Sequence, residues 1–159
     1  MIPPQGRALS AEENSALVAS MAEIVGASHL FKSLDDAGRA RVLASGYVTT
    51  FAPGDVVIKQ GDRGTAMYLV LNGSVSVETS APGKSIHLAE LRRGGVFGEV
   101  SVLTGSERTA TVTALGPVDC VCFEGHRIRR VLEDYPKVRE LLEKIVARRA
   151  EDTVEKIIR

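Results

Sequence analysis

"FAPGDVVIKQGDRGTAMYLVLNGSVSV", Phe51 to Val77, decides the fold. Short runs of Val, Ile, Leu and Tyr alternate with PGD, QGDRG and NGS, clusters in which glycine stands beside residues that favour turns. β-branched and aromatic runs bounded in this way read as strands. The Asn72-Gly73 pair, set between MYLVL and VSV, predicts a hairpin, because both residues tolerate the positive φ of a type I′ turn. Outward from this stretch the texture continues through SAPGK, RRGG, LTGS and LGP. Turns spaced roughly every 8 to 12 residues belong to antiparallel sandwiches and barrels. Strands are expected at 47–51, 56–59, 66–72, 74–80, 84–91, 110–114 and 118–124.

Helical patterns flank this β region. Ser10 and Glu13 stand at capping-box spacing before Leu17, Val18, Met21, Ile24 and Val25, which predicts a helix over about 11–25. A turn holding Leu30, Phe31 and Leu34 follows, then a helix capped by Asp35. After Gly125 come Ile128, Val131 and Leu132 at helical spacing, and from Pro136, a residue suited to a first helical position, the pattern runs on to Ile158. That last helix stays amphipathic to Arg159 with no cap. It reads either as the link to a further domain or as a surface that pairs with a second copy. The organisation is therefore an N-terminal extension at 1–26, a β-roll with adjoining helices at 27–135, and a C-terminal lid, dimerisation or linker helix at 136–159.

The 159 residues suit one domain able to bury roughly 70% of its unfolded surface. With 20 Lys+Arg against 20 Asp+Glu, the chain lacks the positive excess of a nucleic-acid binder. No apolar run reaches the ~18 residues of a membrane helix, and Met1 to Arg7 does not read as a signal peptide, so a cytoplasmic protein is expected. Cys120 and Cys122, two apart on one strand, face the same way and read as packing thiols. His29, His87 and His126 are scattered, which leaves no metal cluster and disfavours a metal-binding cupin; no Gly-x-Ser-x-Gly elbow marks a hydrolase. No cofactor, metal or catalytic residue is expected.

The chemistry concentrates in "FGEVSVLTGSERTATV", Phe97 to Val112. Gly98 permits close backbone approach, Glu99 to Gly105 is long enough for a helical turn or two, and Arg108 follows Glu99 by nine residues. Amides at a helix start, joined by a guanidinium, suit a phosphate bearing one negative charge. An ionised Glu99, which only accepts, suits a hydroxyl such as that of a ribose. A structural ion pair between Glu99 and Arg108 is the plainer alternative.

The stretch "GGVFGEVSVLTGSERTATV" closely resembles the phosphate-binding cassette of cyclic nucleotide-binding domains, as found in catabolite activator proteins, protein kinase regulatory subunits and nucleotide-gated channels. The Phe51 to Val77 stretch is similar to the opening strands of that family, and the resemblance covers about residues 30–156. It implies an eight-stranded antiparallel β-roll with N-terminal helices, a short cassette helix spanning Val100, and a long C-terminal helix. It implies further that Glu99 accepts from a ribose 2′-hydroxyl, that Arg108 pairs with the cyclic phosphate, and that the amides of Ser101 and Ala110 face that phosphate. Val77, Leu88 and Ala89 would line the base, although Val77 and Leu88 equally suit an ordinary core strand. A hydroxyl at Thr109 favours cGMP over cAMP, and Arg149, Thr153 and Val154 would fall over the base from the C-terminal helix. The stretch RRAEDTVEKIIR equally suits a solvated coiled-coil face. The expected function is a non-enzymatic cyclic mononucleotide receptor that regulates an appended output domain, with a diguanylate cyclase as the choice. A homodimer through the C-terminal helix is expected, with neither nucleic acid nor membrane as partner. The competing class is a cassette that no longer binds nucleotide and serves as a dimerisation or docking scaffold.

Overall fold

The structure, a computed structural model, describes residues 6–8, 12 and 35–158, with the side chains at 6–8, 36, 39, 138, 141, 145, 149 and 152–158 left undescribed. The helix expected at 11–25 and the turn holding Leu30, Phe31 and Leu34 lie outside the described residues, Glu12 excepted. In chain order come β1 (Gly6–Ala8), α1 (Asp36–Ala44), β2 (Tyr47–Phe51), β3 (Val56–Ile58), β4 (Met67–Asn72), β5 (Val75–Ala81), β6 (Lys84–Leu91), β7 (Val96–Phe97), α2 (Glu99–Thr104), β8 (Thr111–Ala114), β9 (Val118–Phe123), α3 (Gly125–Asp134) and α4 (Pro136–Ile158). The two-residue β7 and the short β1 were not expected. Strands β2 to β9 make the eight of the roll, with β1 added at one edge.

Among the described residues all pairing is antiparallel, in a five-stranded sheet ordered β1-β2-β9-β4-β7 and a four-stranded sheet ordered β3-β8-β5-β6. The expected Asn72-Gly73 hairpin is therefore absent: β4 and β5 belong to different sheets, and the chain turns a corner between them. Asn72 ends β4 with negative φ, and only Gly73 takes the left-handed conformation. Glycine is required at Gly73 because a Cβ there would overlap the Pro117 carbonyl, while Leu115 N–H donates to Ser74 O at 3.0 Å on the same corner.

The alternation of β4 explains the layering. Met67, Leu69 and Leu71 face Val42 and Leu43 of α1, Ile128 and Leu132 of α3, and Leu142 of α4 in one apolar cluster. Val70 points the other way, into a second cluster between the sheets with Val75, Phe97, Val112 and Cys120. A central strand buried on both faces reads as a continuous apolar run, as MYLVL does. Asp35 caps α1 as its sequence position predicts, its Oδ1 accepting from the Gly38 N–H at 2.7 Å. Arg41 joins α1 to Asp134 at the end of α3 at 2.7 Å, an exposed pair worth at most ~1 kcal/mol. The fully buried Leu142 anchors α4, which packs on α2, α3 and β6.

Candidate ligand-binding site

Between β7 and α2 the chain must reverse abruptly, and Gly98 makes this possible at φ +85°. A Cβ there would stand 2.7 Å from the Ala66 carbonyl and 3.1 Å from Arg108 Nη1, so the backbone has no room for a side chain. Helix α2 then runs from Glu99 to Thr104, and Gly105 closes it by donating its N–H to Ser101 O at 2.9 Å. Glu99 and Ser101 are each only 1% exposed. Val100, between them, is half-buried on the cavity wall.

Arg108 is 6% exposed although it carries a permanent charge. Its backbone is held on both sides by the turn after β3: Arg108 N–H donates to Asp62 O at 2.8 Å, and Gly61 N–H donates to Arg108 O at 2.9 Å. Nη1 donates to the Gly98 carbonyl at 3.3 Å, and the other edge of the guanidinium lies against Gly64. Burial pushes the pKa of Arg108 down, and its surroundings at Tyr68, Cys122 and Glu99 push it back up. A guanidinium withdrawn from water costs several kcal/mol unless anions compensate, and a carbonyl is an incomplete partner for it.

These groups share one cavity of about 340 Å³. Glu99, Ser101, Arg108 and Thr109 line it together with Gly98 and Ala110, and Ile58, Val77, Leu88 and Val112 add aliphatic side chains to its wall. A bulge brings Val77 and Leu88 in together: Val77 pairs with Ala89 and Glu78 with His87, which leaves Leu88 as the extra residue. Ala89, opposite Val77 in register, is not among the residues that line the cavity. Phe97 was not anticipated at the site; it lines the cavity and stacks on Tyr68, with ring centroids 5.0 Å apart and planes 12° apart. From α4, the described residues at the cavity are Val146 and Ala150. The side chains of Arg149 and Thr153 lie outside those described. A cation, a carboxylate and aliphatic side chains in one cavity suit an anion that also carries an apolar portion.

Residues 48–135 match the family model described as Cyclic nucleotide-binding domain. The chain belongs to the cyclic nucleotide-binding domain family. This cyclic nucleotide-binding domain is 43% identical over 98 residues to a cyclic nucleotide-gated cation channel protein of Drosophila melanogaster, covering 58% of this chain and 14% of that protein. It is 34% identical over 90 residues to a cAMP-dependent protein kinase regulatory subunit of Mycosarcoma maydis, covering 57% of this chain and 17% of that one. The chain thus spans less than a fifth of these relatives. Among solved structures, the catabolite activator protein of Thermus thermophilus superposes with a TM-score of 0.73 at 27% identity, over 80% of this chain and 61% of that one. The regulatory domain of Toxoplasma gondii PKA, crystallised with cAMP, gives 0.73 at 24% identity over 84% and 51%, a likeness of fold. The eight-stranded roll implied by the sequence resemblance is the fold found. Among the described residues no helix is long and apolar enough to cross a membrane.

Proposed function

We propose that this cavity binds a cyclic mononucleotide, cGMP in preference to cAMP, and that occupancy regulates an output domain through α4. The observation that carries the reading is the burial of Arg108 and Glu99 in one cavity whose wall also holds Ile58, Val77, Leu88 and Val112. Arg108 neutralises the cyclic phosphate, and the amides of Ser101 and Ala110 complete its shell. Glu99 accepts from the ribose 2′-hydroxyl, and Val77 and Leu88 sandwich the base against α4. What supports guanine is Thr109 on the cavity wall, whose hydroxyl would meet the 2-amino group of a syn base. Nucleotide favours the arrangement with α4 closed, and the response is limited by the affinity difference between the open and closed states. The output we propose is a diguanylate cyclase, with α4, 23 residues long, acting as a dimer-forming linker. The domain itself performs no catalysis, and the site residues need no metal or cofactor.

Calorimetric titration with cGMP and cAMP tests the reading. Saturable binding with cGMP the tighter ligand is expected; a folded protein that gives no heat with either at millimolar concentration would overturn it in favour of a docking scaffold.

A further inference from the structure

Strand β5 turns Val75 and Val77 inward, and the next inward position holds Thr79, which is 6% exposed. A hydroxyl buried along a row of valines needs a hydrogen-bond partner. Thr79 Oγ1 donates to the backbone carbonyl of Thr109 at 3.0 Å, joining residues 30 apart in the chain. That carbonyl belongs to the cavity edge that carries Arg108 and Thr109.

The ties along this edge differ in kind. Arg108 is held by backbone bonds to Gly61 and Asp62, which involve no side chain. The β8 ladder begins at Thr111, opposite Glu78, and Thr111 Oγ1 also accepts from the Gln60 N–H at 3.0 Å. Between these anchors lie Thr109 and Ala110, and among the described residues the hydrogen bond that fixes this two-residue span comes from the Thr79 side chain. Thr79 is not among the residues that line the cavity. We infer that Thr79 is a positioning residue that holds the Thr109–Ala110 span against β5, so that Arg108 and Thr109 meet the ligand in a fixed geometry. The inference rests on the nucleotide-binding reading for its ligand, whereas the clamp itself is a property of the unliganded chain.

The test uses Thr79→Val, which keeps shape and branching but removes the donor, and Thr79→Ser, which restores it. Calorimetry with cGMP is paired with amide hydrogen exchange on the unliganded proteins. In Thr79→Val the Kd for cGMP is expected to rise about five- to tenfold, and exchange across residues 108–111 to accelerate by a similar factor, as for loss of one buried hydrogen bond. Exchange in β4 and β9 stays unchanged, and Thr79→Ser recovers both properties. A Thr79→Val protein that exchanges like wild type at 108–111, or one that loosens equally in β9, overturns the inference. If the wild-type protein takes up no cGMP, the nucleotide-binding reading fails by itself, and the exchange comparison still decides for or against the clamp.

Discussion

Replacing Gly98 by alanine tests the cassette's construction, with Gly105→Ala as its reference. Both glycines are left-handed, at φ +85° and +69°, so each alanine carries the cost of that conformation, about 1–2 kcal/mol. They differ in what the new methyl meets. At Gly105 nothing lies within 4 Å, whereas at Gly98 the Ala66 carbonyl lies at 2.7 Å and Arg108 Nη1 at 3.1 Å. The carbonyl is backbone and cannot swing aside, so overpacking adds about 1–3 kcal/mol at Gly98 alone. Urea unfolding is expected to show Gly98→Ala less stable than Gly105→Ala by that difference, with the slope m unchanged. Because Gly98 O accepts from Nη1 at 3.3 Å, the same variant displaces the guanidinium and weakens cGMP binding, while Gly105→Ala does not. Equal stability losses in the two variants would refute the packing argument. Unaltered affinity in a folded Gly98→Ala protein would refute the link to Arg108.

Thr109→Ala removes the hydroxyl assigned to guanine. Titration is expected to show cGMP losing about 1 kcal/mol more than cAMP, roughly a fivefold change in their ratio; equal losses would remove the basis for a guanine preference. The buried thiols provide a pH prediction. Burial pushes Cys120 up from 9.0 to about 12, and Cys122 is raised as well. Above pH 9 the unfolded thiol ionises while the folded one keeps its proton. Unfolding then releases a proton, and the contribution of Cys120 to stability falls between about pH 9 and 12. A thiol reagent at pH 8 is expected to leave both cysteines untouched until urea unfolds the chain, and prompt labelling of the folded protein would contradict their burial.

The all-β texture was legible because turns are local: PGD, QGDRG and RRGG announce themselves within a few residues. The cassette was legible because its chemistry is compressed into one stretch, with Gly98, Glu99 and Arg108 at fixed spacing. Strand pairing was not. Asn72-Gly73 is locally as good for a hairpin as for a corner between sheets, and the choice is made by distant partners, with β9 pairing Leu69 to Val121 and β8 pairing Val75 to Ala114. Strand β7 is two residues long, too short to show alternation. Thr79 looks like any strand threonine, since its hydrogen-bond partner is 30 residues away. Phe97 stands in the motif beside Gly98, yet its place on the cavity wall goes with its stacking on Tyr68 from a neighbouring strand. The landing point of α4 depends on tertiary packing of Leu142; the described contacts at the cavity come from Val146 and Ala150, and the side chains of Arg149, Thr153 and Val154, named from the sequence, lie outside those described.

The most direct test compares wild type with Arg108→Ala by calorimetric titration of cGMP, with urea unfolding confirming that both are folded. Removing the Arg108 guanidinium from the cavity wall would take away the proposed charge-assisted bond to the phosphate and leave the anion unmatched. The expected loss is at least ~2 kcal/mol, a Kd raised about thirtyfold or more. Wild type and Arg108→Ala binding cGMP equally would contradict the account at its centre.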